Sequence, residues 1–392
     1  MSHLPRNPFI FGRVLGADEI IDREDEIGTV RRTITNQGKL FIIGPRRFGK
    51  SSVLRAGAEH EERRGATVLR YDVEKYETLD ALAKSLMVEA TRRLTGGWDQ
   101  AAATIGRFFG ALRPEVTVDP GTGSVSVRLG AVRSGSDELP ALTEVLDGIE
   151  RMAREAEHPV AVMLDEFQQV ATDEVAERRL RATVQEHSAL SYVFAGSKTT
   201  LLQEMTSDPG RPFYRLGERL FLGGISREVF GRFLGDAFER TGLGITERSI
   251  ERILDLADNV PFNVQQLAHY AWEEVRPSGS ELDFSDVEVA LDRLVRNEDP
   301  FYTHLWTELT ENQRKALKAV SETGGREIYT RATTVQYRLS ASAMQAAIRD
   351  LTRRGLLREE RQTGAEGLRL VDPFFRRWLE VVQRIPGVKG QG

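Results

Sequence analysis

The apolar residues in the first 225 positions follow two periodicities in turn, and this alternation predicts an α/β fold. Predicted strands lie at residues 40–43, 67–72, 160–164, 192–195 and 219–222, and those at 40–43, 160–164 and 192–195 are continuous apolar runs typical of buried strands. Between these runs, apolar residues recur every three or four positions, as in helices that pack one face on a sheet. Strands that alternate with helices predict a parallel sheet with helices on both faces.

One segment breaks this rhythm and predicts a β-hairpin insertion at about residues 113–130. Apolar and polar residues alternate there on both sides of Asp119-Pro120-Gly121, a sequence that favours a tight turn. We therefore predict a core over residues 1–225 that contains this insertion.

Beyond the core, the pattern changes twice. Residues 226–276 have only helical spacing, which predicts a helical lid over residues 226–300. After Thr310, three predicted helices are followed by Gly355 and two short strands. Three helices with a two-stranded wing predict a winged helix-turn-helix over residues 301–392.

The composition narrows the chemistry. The 392 residues include no cysteine, which excludes disulfides, thiolate catalysis and the usual zinc sites. No apolar run reaches the ~18 residues of a membrane span, and the first residues lack a signal-peptide segment. The sequence therefore predicts a cytoplasmic protein with no membrane partner. The net charge is -5, but residues 311–390 carry 16 Lys and Arg against 9 Asp and Glu, which permits a nucleic-acid contact without requiring one.

A glycine-rich segment directly after the first predicted strand has the P-loop spacing G-x-x-x-x-G-K-[ST]. It reads Gly44-Pro45-Arg46-Arg47-Phe48-Gly49-Lys50-Ser51 and continues with Ser52 into a helical pattern. In this context, backbone N–H groups and the positive end of the helix form an anion site for phosphates. Gly44 and Gly49 would allow close approach of the backbone, Lys50 would contact the β- and γ-phosphates, and the Ser51 hydroxyl would bind Mg²⁺. Residues 44–52 are thus the predicted nucleotide cradle.

An acidic pair ends the third predicted core strand. Asp165 and Glu166 directly follow the apolar run at residues 160–164. In a chain with a P-loop, this arrangement predicts a Walker B strand. Asp165 is expected to hold Mg²⁺ together with Ser51, and Glu166 to orient or deprotonate the water that attacks the γ-phosphate.

Three further residues are candidates for a hydrolytic site. Ser197 follows the fourth predicted core strand, where its hydroxyl would bind the γ-phosphate or the attacking water; the alternative role is the N-cap of the next helix. Arg211 and Arg215 precede the fifth strand, the place from which ring-forming ATPases supply an arginine to a neighbouring protomer. A trans-acting arginine requires a homo-oligomer, and the alternative is a surface ion pair with Glu218.

With these motifs in this order, the chain resembles the archaeal-type ATPases of prokaryotes, which are grouped with the STAND signalling ATPases in the AAA+ superfamily. The resemblance covers nearly the whole length and is carried by Asn7-Pro8-Phe9, Asp22-Arg23-Glu24, the P-loop, Leu164-Asp165-Glu166-Phe167-Gln168, Arg211-Pro212-Phe213-Tyr214 and Val371-Asp372-Pro373. It implies a P-loop NTPase core with strand order 5-1-4-3-2, a helical lid and a winged helix. It also implies that the family's P-loop residues correspond to Gly44, Gly49, Lys50 and Ser51, and its acidic pair to Asp165 and Glu166.

One position departs from that family. The family's lid often contains Gly-x-Pro, whereas this chain has Asn259-Val260-Pro261, and no arginine begins the following helix. The resemblance therefore assigns no lid residue to the nucleotide. No Asn-Lys-x-Asp motif for guanine is present, so the expected cofactors are ATP and Mg²⁺.

Two functions are compatible with the sequence. In the first, ATP operates a switch in which the core closes on the lid and moves the winged helix, whose position a protein partner or DNA reads. In the second, the protein is a loader or remodelling ATPase that acts on double-stranded DNA. The predicted recognition helix, residues 342–351, turns Gln345 and Arg349 outward but has few other base-reading groups, which predicts weak sequence-specific recognition. Further positive charge is supplied nearby by Arg331, Arg338, Arg353 and Arg354.

Overall fold

The computed structural model describes residues 6–95, 101–112, 114–118, 125–129, 139–170, 174–197, 199–362 and 365–384. They belong to two compact units. The core unit is Val14–Gly223, and the lid and wing unit combines Gly224–Gly392 with the segment Met1–Arg13. The chain therefore passes from one unit to the other twice.

The core unit contains a parallel sheet. Its described strands are β1 (Lys39–Ile43), β2 (Thr67–Asp72), β3 (Pro114–Val118), β4 (Val125–Leu129), β5 (Val160–Asp165), β6 (Leu190–Gly196) and β7 (Glu218–Phe221). Five of them form the sheet in the order β2-β5-β6-β1-β7, and all neighbours in it are parallel. Counted as core strands one to five, this is the order 5-1-4-3-2, so the predicted P-loop core is confirmed.

The helices of the core unit alternate with these strands. Those described are α1 (Glu24–Thr35), α2 (Lys50–Glu62), α3 (Leu79–Thr95), α4 (Ala101–Phe109), α5 (Leu139–Glu155), α6 (Glu174–Glu186) and α7 (Thr199–Ser207). Strands β1, β5 and β6 are almost wholly buried, as expected for the interior of a parallel sheet. Strand β7 is largely exposed because it is an edge strand. An aromatic cluster beside the sheet is formed by Phe41, Phe167, Phe194 and Phe213.

The predicted hairpin insertion is present. Strands β3 and β4 pair antiparallel, with Val116 opposite Val127. The predicted turn at Asp119-Pro120-Gly121 lies outside the described residues. Helix α4, which precedes the hairpin, has no counterpart among the sequence predictions.

The lid and wing unit is mainly helical. Its described elements are α8 (Arg227–Glu239), α9 (Glu247–Leu256), α10 (Pro261–Val275), α11 (Phe284–Glu308), α12 (Glu311–Thr323), α13 (Arg331–Gln336), α14 (Ala341–Arg353), β8 (Leu357–Gln362), β9 (Ala365–Leu370) and α15 (Phe374–Arg384). Helices α8 to α10 form the predicted lid. The beginning of the chain belongs to the same unit because Asn7 donates to the carbonyl of His269 at 3.1 Å, and the Ile10 amide donates to Gln265 at 3.2 Å.

The winged helix forms from α12, α13, α14 and the antiparallel pair β8–β9. Helix α12 begins where the sequence predicts, because Thr310 and Gln313 form a reciprocal capping box. Helix α14 buries Met344, Ala347 and Ile348. These three residues lie on one face, so the opposite face of α14 is exposed, as predicted for a recognition helix.

Helix α11 runs across the predicted boundary between lid and winged helix at residue 300. Near its start, Glu288 pairs with Arg252 of α9 at 2.6 Å. Near its end, Tyr302 contacts Phe375 of α15, with ring centroids 5.2 Å apart. The division into domains at residues 225 and 300 stays a prediction. Within the described ranges, no helix has both the length and the apolar character that a membrane span requires.

Candidate nucleotide and hydrolysis site

The P-loop connects β1 to α2, the context that its sequence predicts. Arg47 and Gly49 both have left-handed backbone, with φ of 71° and 92°, and Lys50 then begins the helix. Gly44 packs closely on the chain that follows β7, since a Cβ at this position would lie 2.9 Å from the Leu222 carbonyl oxygen. Glycine is therefore required at 44 for close approach and is favoured at 49 by conformation.

Lys50 lies over this loop and is buried. Its Nζ donates to the Pro45 carbonyl at 3.0 Å, and 6% of the residue is exposed. Burial lowers the pKa of Lys50, while the negative charges of Glu166 and Asp165 oppose that effect. The lysine thus lies close to both acidic residues of the predicted Walker B pair. Its contact with a backbone carbonyl is one that a bound phosphate could replace.

Ser51 and Asp165 are in direct contact. The Ser51 hydroxyl donates to Asp165 Oδ2 at 2.5 Å, and the Glu166 amide donates to Asp165 Oδ1 at 3.0 Å. Burial raises the pKa of Asp165, an effect that the Ser51 hydrogen bond partly offsets. A serine hydroxyl and a carboxylate are hard oxygen donors of the kind that Mg²⁺ prefers. The two residues therefore fit the predicted metal site.

Glu166 is held in a defined position at the end of β5. Its backbone is left-handed, with φ of 53°. Its Oε2 accepts hydrogen bonds from Gln168 Nε2 at 2.5 Å, from the Ser197 hydroxyl at 2.9 Å and from the Ser197 amide at 3.3 Å. Burial opposes ionisation of Glu166, but these hydrogen bonds outweigh it, so the pKa of Glu166 lies below its usual value. The side chain is accordingly a carboxylate near neutral pH.

Ser197 follows the carboxyl end of β6, which pairs with β1. Its hydroxyl contacts Glu166 as described and also accepts from Arg46 Nε at 3.5 Å. Arg46 in turn forms an exposed ion pair with Glu74 at 3.5 Å. Ser197 thus lies between the P-loop and the acidic pair, as expected for a sensor, and its predicted contact with phosphate or water stays a prediction. Helix α7 begins at Thr199, two residues after Ser197.

The remaining P-loop residues have mainly structural contacts. Phe48 is buried. The Ser52 hydroxyl accepts a hydrogen bond from the Leu15 amide at 3.1 Å. Ser52 therefore fastens the entering chain to α2, a role that its position beside Ser51 did not predict.

The two candidate arginines differ in their surroundings. Arg211 forms a two-pronged ion pair with Glu177, whose side chain is 2% exposed, and the Nε–Oε2 distance is 3.0 Å. The predicted alternative partner, Glu218, is not the one that Arg211 uses. Arg215 is exposed, has φ of 53°, lies over the Tyr214 ring at 5.2 Å and has no ion pair with another described residue. Of the two, Arg215 is the one available to another molecule.

The lid position that departs from the family pattern has a physical explanation. Asn259 has φ of 51°, a left-handed conformation that glycine adopts easily and that asparagine tolerates better than most residues. The Asn259 side chain donates to the Ile225 carbonyl at 2.7 Å. The neighbouring Asp258, also left-handed, pairs with Arg358 of β8. Asparagine thus keeps the backbone shape of a glycine here and adds a hydrogen bond.

On the exposed face of α14, some polar side chains form ion pairs within the protein and others do not. Gln345 and Arg349 are exposed, and neither side chain bonds to another residue in the part of the chain that the structure describes. Arg353 and Arg354 pair with Asp350 and Glu308 at 3.1 and 3.5 Å, so part of the predicted positive charge is compensated within the protein.

Comparisons with known proteins agree with this architecture. A family described as a probable winged helix domain matches residues 300–381. A Walker-type ATPase of Pyrococcus abyssi superposes with a TM-score of 0.58 at 17% identity, covering 93% of this chain and 97% of that chain. The ORC2 protein of Aeropyrum pernix, in its ADPNP–ADP complexes, superposes with a TM-score of 0.53 at 17% identity, covering 96% of both chains. No curated protein sequence gives a significant match.

At this identity the structural likeness shows the fold. It extends over more than nine tenths of the chain in both cases, so it is not confined to the P-loop core. The strand order and the position of the P-loop after β1 agree with the same conclusion. The chain therefore has a P-loop NTPase fold like that of these proteins, and it carries a winged helix domain near its carboxyl end.

Proposed function

We propose that this protein is a Mg²⁺-dependent ATPase that works as a switch, passing its nucleotide state to the winged helix. One observation carries the proposal: Lys50, Ser51, Asp165, Glu166 and Ser197 converge at the carboxyl edge of the sheet, each in contact with another part of the site. Ligands bind at this edge in open parallel α/β sheets.

The roles of these residues follow from their chemistry. Backbone N–H groups of the P-loop and the Lys50 ammonium bind the phosphates. Ser51 and Asp165 would hold Mg²⁺, which would supply compensation of the phosphate charge. Glu166 accepts a proton from the water as the water oxygen bonds to the γ-phosphorus and the bond to the bridging oxygen breaks, giving ADP and phosphate.

The switch is supported by contacts within the lid and wing unit. Asp258 of the lid pairs with Arg358 of the wing, and Arg377 of α15 pairs with Asp292 of α11 at 2.8 Å. The first pair connects the lid to the winged helix and the second connects α11 to α15, so a lid that responds to nucleotide would carry the winged helix with it.

The ATPase proposal is tested with Glu166→Gln. This change keeps the size of the side chain and removes its basicity, so we expect turnover to fall at least ~100-fold while ATP affinity stays unchanged. Phosphate release measures turnover, and titration with a fluorescent ATP analogue measures affinity. Glu186→Gln, an exposed position on α6, is the matched control and should behave as the unaltered protein. Normal turnover in Glu166→Gln would contradict the proposed role.

A second candidate is a loader or remodelling ATPase that acts on duplex DNA. It is favoured by Arg331, Arg338 and Arg349, which are exposed and have no ion pair with another described residue. Exposed, uncompensated arginines suit phosphate contacts. The test is the ATPase rate with and without duplex DNA across a salt series. Stimulation that weakens steeply with salt supports this function, and a rate indifferent to DNA supports the protein-directed switch.

A further inference from the structure

Gln168 is a buried polar residue next to the acidic pair, and none of the roles derived above uses it. It belongs to the single turn Phe167–Gln169 that follows β5, and it is 5% exposed. Burying a primary amide costs free energy unless its donors and acceptors are bonded. Its Nε2 donates to Glu166, whereas its Oε1 is buried and has no hydrogen-bond partner among the described residues. Burial here is therefore incompletely compensated.

The surroundings accommodate this amide closely. A Cβ at Gly196, at the end of β6, would lie 2.1 Å from Gln168 Oε1 and 2.4 Å from Leu202 Cδ1. Any side chain at 196 would thus displace Gln168. The bare backbone of Gly196 leaves the space in which the amide reaches the carboxylate.

The amide changes what Glu166 can do. Three donors converge on Oε2 of the carboxylate, two of them from Ser197 and one from Gln168. Oε1 of Glu166 accepts no hydrogen bond from any described residue. One oxygen is therefore held in place while the other remains open to accept from water. A side chain with several rotatable bonds is restricted in this way before any substrate arrives.

We propose that Gln168 is a positioning residue for ATP hydrolysis: by holding Oε2 of Glu166, it aims Oε1 at the attacking water. This inference rests on the ATPase function proposed above. Gln168 touches neither nucleotide nor water in this role and acts through Glu166. Its loss should lower kcat and leave nucleotide binding unchanged.

The test is Gln168→Leu, which has a similar volume but no N–H donor. We expect kcat to fall at least ~10-fold, the lower end of the loss typical of a hydrogen bond to a charged group, with KM within about 2-fold of the unaltered protein. Affinity for a non-hydrolysable ATP analogue should not change. The matched control is Gln169→Leu, because Gln169 is the next residue and is exposed. If Gln168→Leu does not fold, Gln168→Met fills the site with an unbranched chain and carries the same expectation.

A merely structural role is distinguished by two readouts. If Gln168 only packs the turn, its replacement should lower Tm and nucleotide affinity together, or leave kcat unchanged; either result overturns the inference. In the Glu166→Gln background, Gln168→Leu should cause no further loss, because its effect passes through Glu166. An additional 10-fold loss there would also overturn it. Absence of turnover in the unaltered protein would remove the ATPase function and this inference with it.

Discussion

Polar side chains at the carboxyl edge of the core sheet are bonded to one another, whereas two of those on the exposed face of α14 are not. At the sheet edge, Ser51 binds Asp165, and Ser197 binds Glu166. On α14, Gln345 and Arg349 bond to no other described residue. Groups that are bonded to one another have one geometry, and that geometry restricts the chemistry. Side chains without such bonds can adopt the conformation that a binding partner requires. They therefore indicate an interface but do not identify the partner.

The difference has its origin in the elements that carry the residues. The ends of β5 and β6 are held in register by a buried sheet, with Leu164 opposite Phe194, so the residues that follow them meet at a fixed place. Helix α14 is held by its apolar face and, toward its end, by contacts of Asp350 with Gln313 and of Arg354 with Glu308. None of these contacts with described residues involves the side chain of Gln345 or Arg349.

The largest effect on stability should come from a fully engaged group outside the nucleotide site. Glu150 is buried and accepts from the amides of Ser188, Ala189 and Leu190 at 3.0, 3.1 and 2.9 Å. Glu150→Ala would leave these N–H groups unpaired, and we expect a loss of about 3 kcal/mol in the free energy of unfolding at pH 7. Urea denaturation measures it.

The same substitution has a predictable pH dependence. Burial opposes ionisation of Glu150, but its backbone donors and Arg154 outweigh this and hold the pKa of Glu150 below its usual value. A depressed pKa contributes stability above the unfolded value of about 4.3, and that contribution is lost as the pH falls through the folded value. The difference between Glu150→Ala and the unaltered protein should therefore shrink in acid. Glu155→Ala, at an exposed position of the same helix, should cost under ~0.5 kcal/mol at either pH. A difference for Glu150→Ala that grows in acid would contradict this assignment.

A smaller effect should separate the two candidate arginines. Arg211→Ala would leave the buried Glu177 without its partner, and we expect a loss of about 2 kcal/mol in the free energy of unfolding. Arg215→Ala should change stability by under ~0.5 kcal/mol, because Arg215 has no described ion pair. Equal losses for the two would remove the distinction between them.

Mixing experiments then test the trans-acting role. If Arg215 acts on a neighbouring protomer, Arg215→Ala should lower turnover at unchanged Tm. Adding Lys50→Ala protomers should restore part of the activity, because each mutant supplies what the other lacks. If sizing shows that the protomers assemble and activity is still not restored, Arg215 has no trans-acting role.

The smallest effect on stability is expected on α14. Arg349→Ala should change the free energy of unfolding by under ~0.5 kcal/mol. If α14 faces duplex DNA, the same change should weaken binding and reduce the slope of log affinity against log salt by about 1. If neither the affinity for DNA nor the slope changes, the partner that binds this face of α14 is a protein rather than DNA.

The sequence was sufficient for the sheet and the acidic pair because their signals are local and reinforce each other. Buried strands are continuous apolar runs, and the motifs directly follow two of them, so Ser51 and Asp165 could be expected to meet. The role proposed for Gln168 could not be predicted, because the resemblance includes this glutamine in a motif without assigning it a contact. Only the three-dimensional position of Gly196 reveals why the amide fits there.

Two other features lay beyond the sequence for different reasons. Helix α11 contains Pro300, which argues against a helix in its interior, yet the helix continues because packing on α9 and α15 supports it. The departure at Asn259 looked like a loss of the family's glycine. Its backbone is left-handed, a conformation that asparagine tolerates better than most residues and that the sequence alone does not reveal.

Helix α11 also determines how a movement of the lid would be felt at the winged helix. Its 25 residues extend over about 37 Å at ~1.5 Å per residue. It contacts α9 of the lid through Glu288, and it contacts α15 through both Asp292 and Tyr302. A movement of α9 would therefore reach α15 through one continuous helix, with no loop between them that could absorb it.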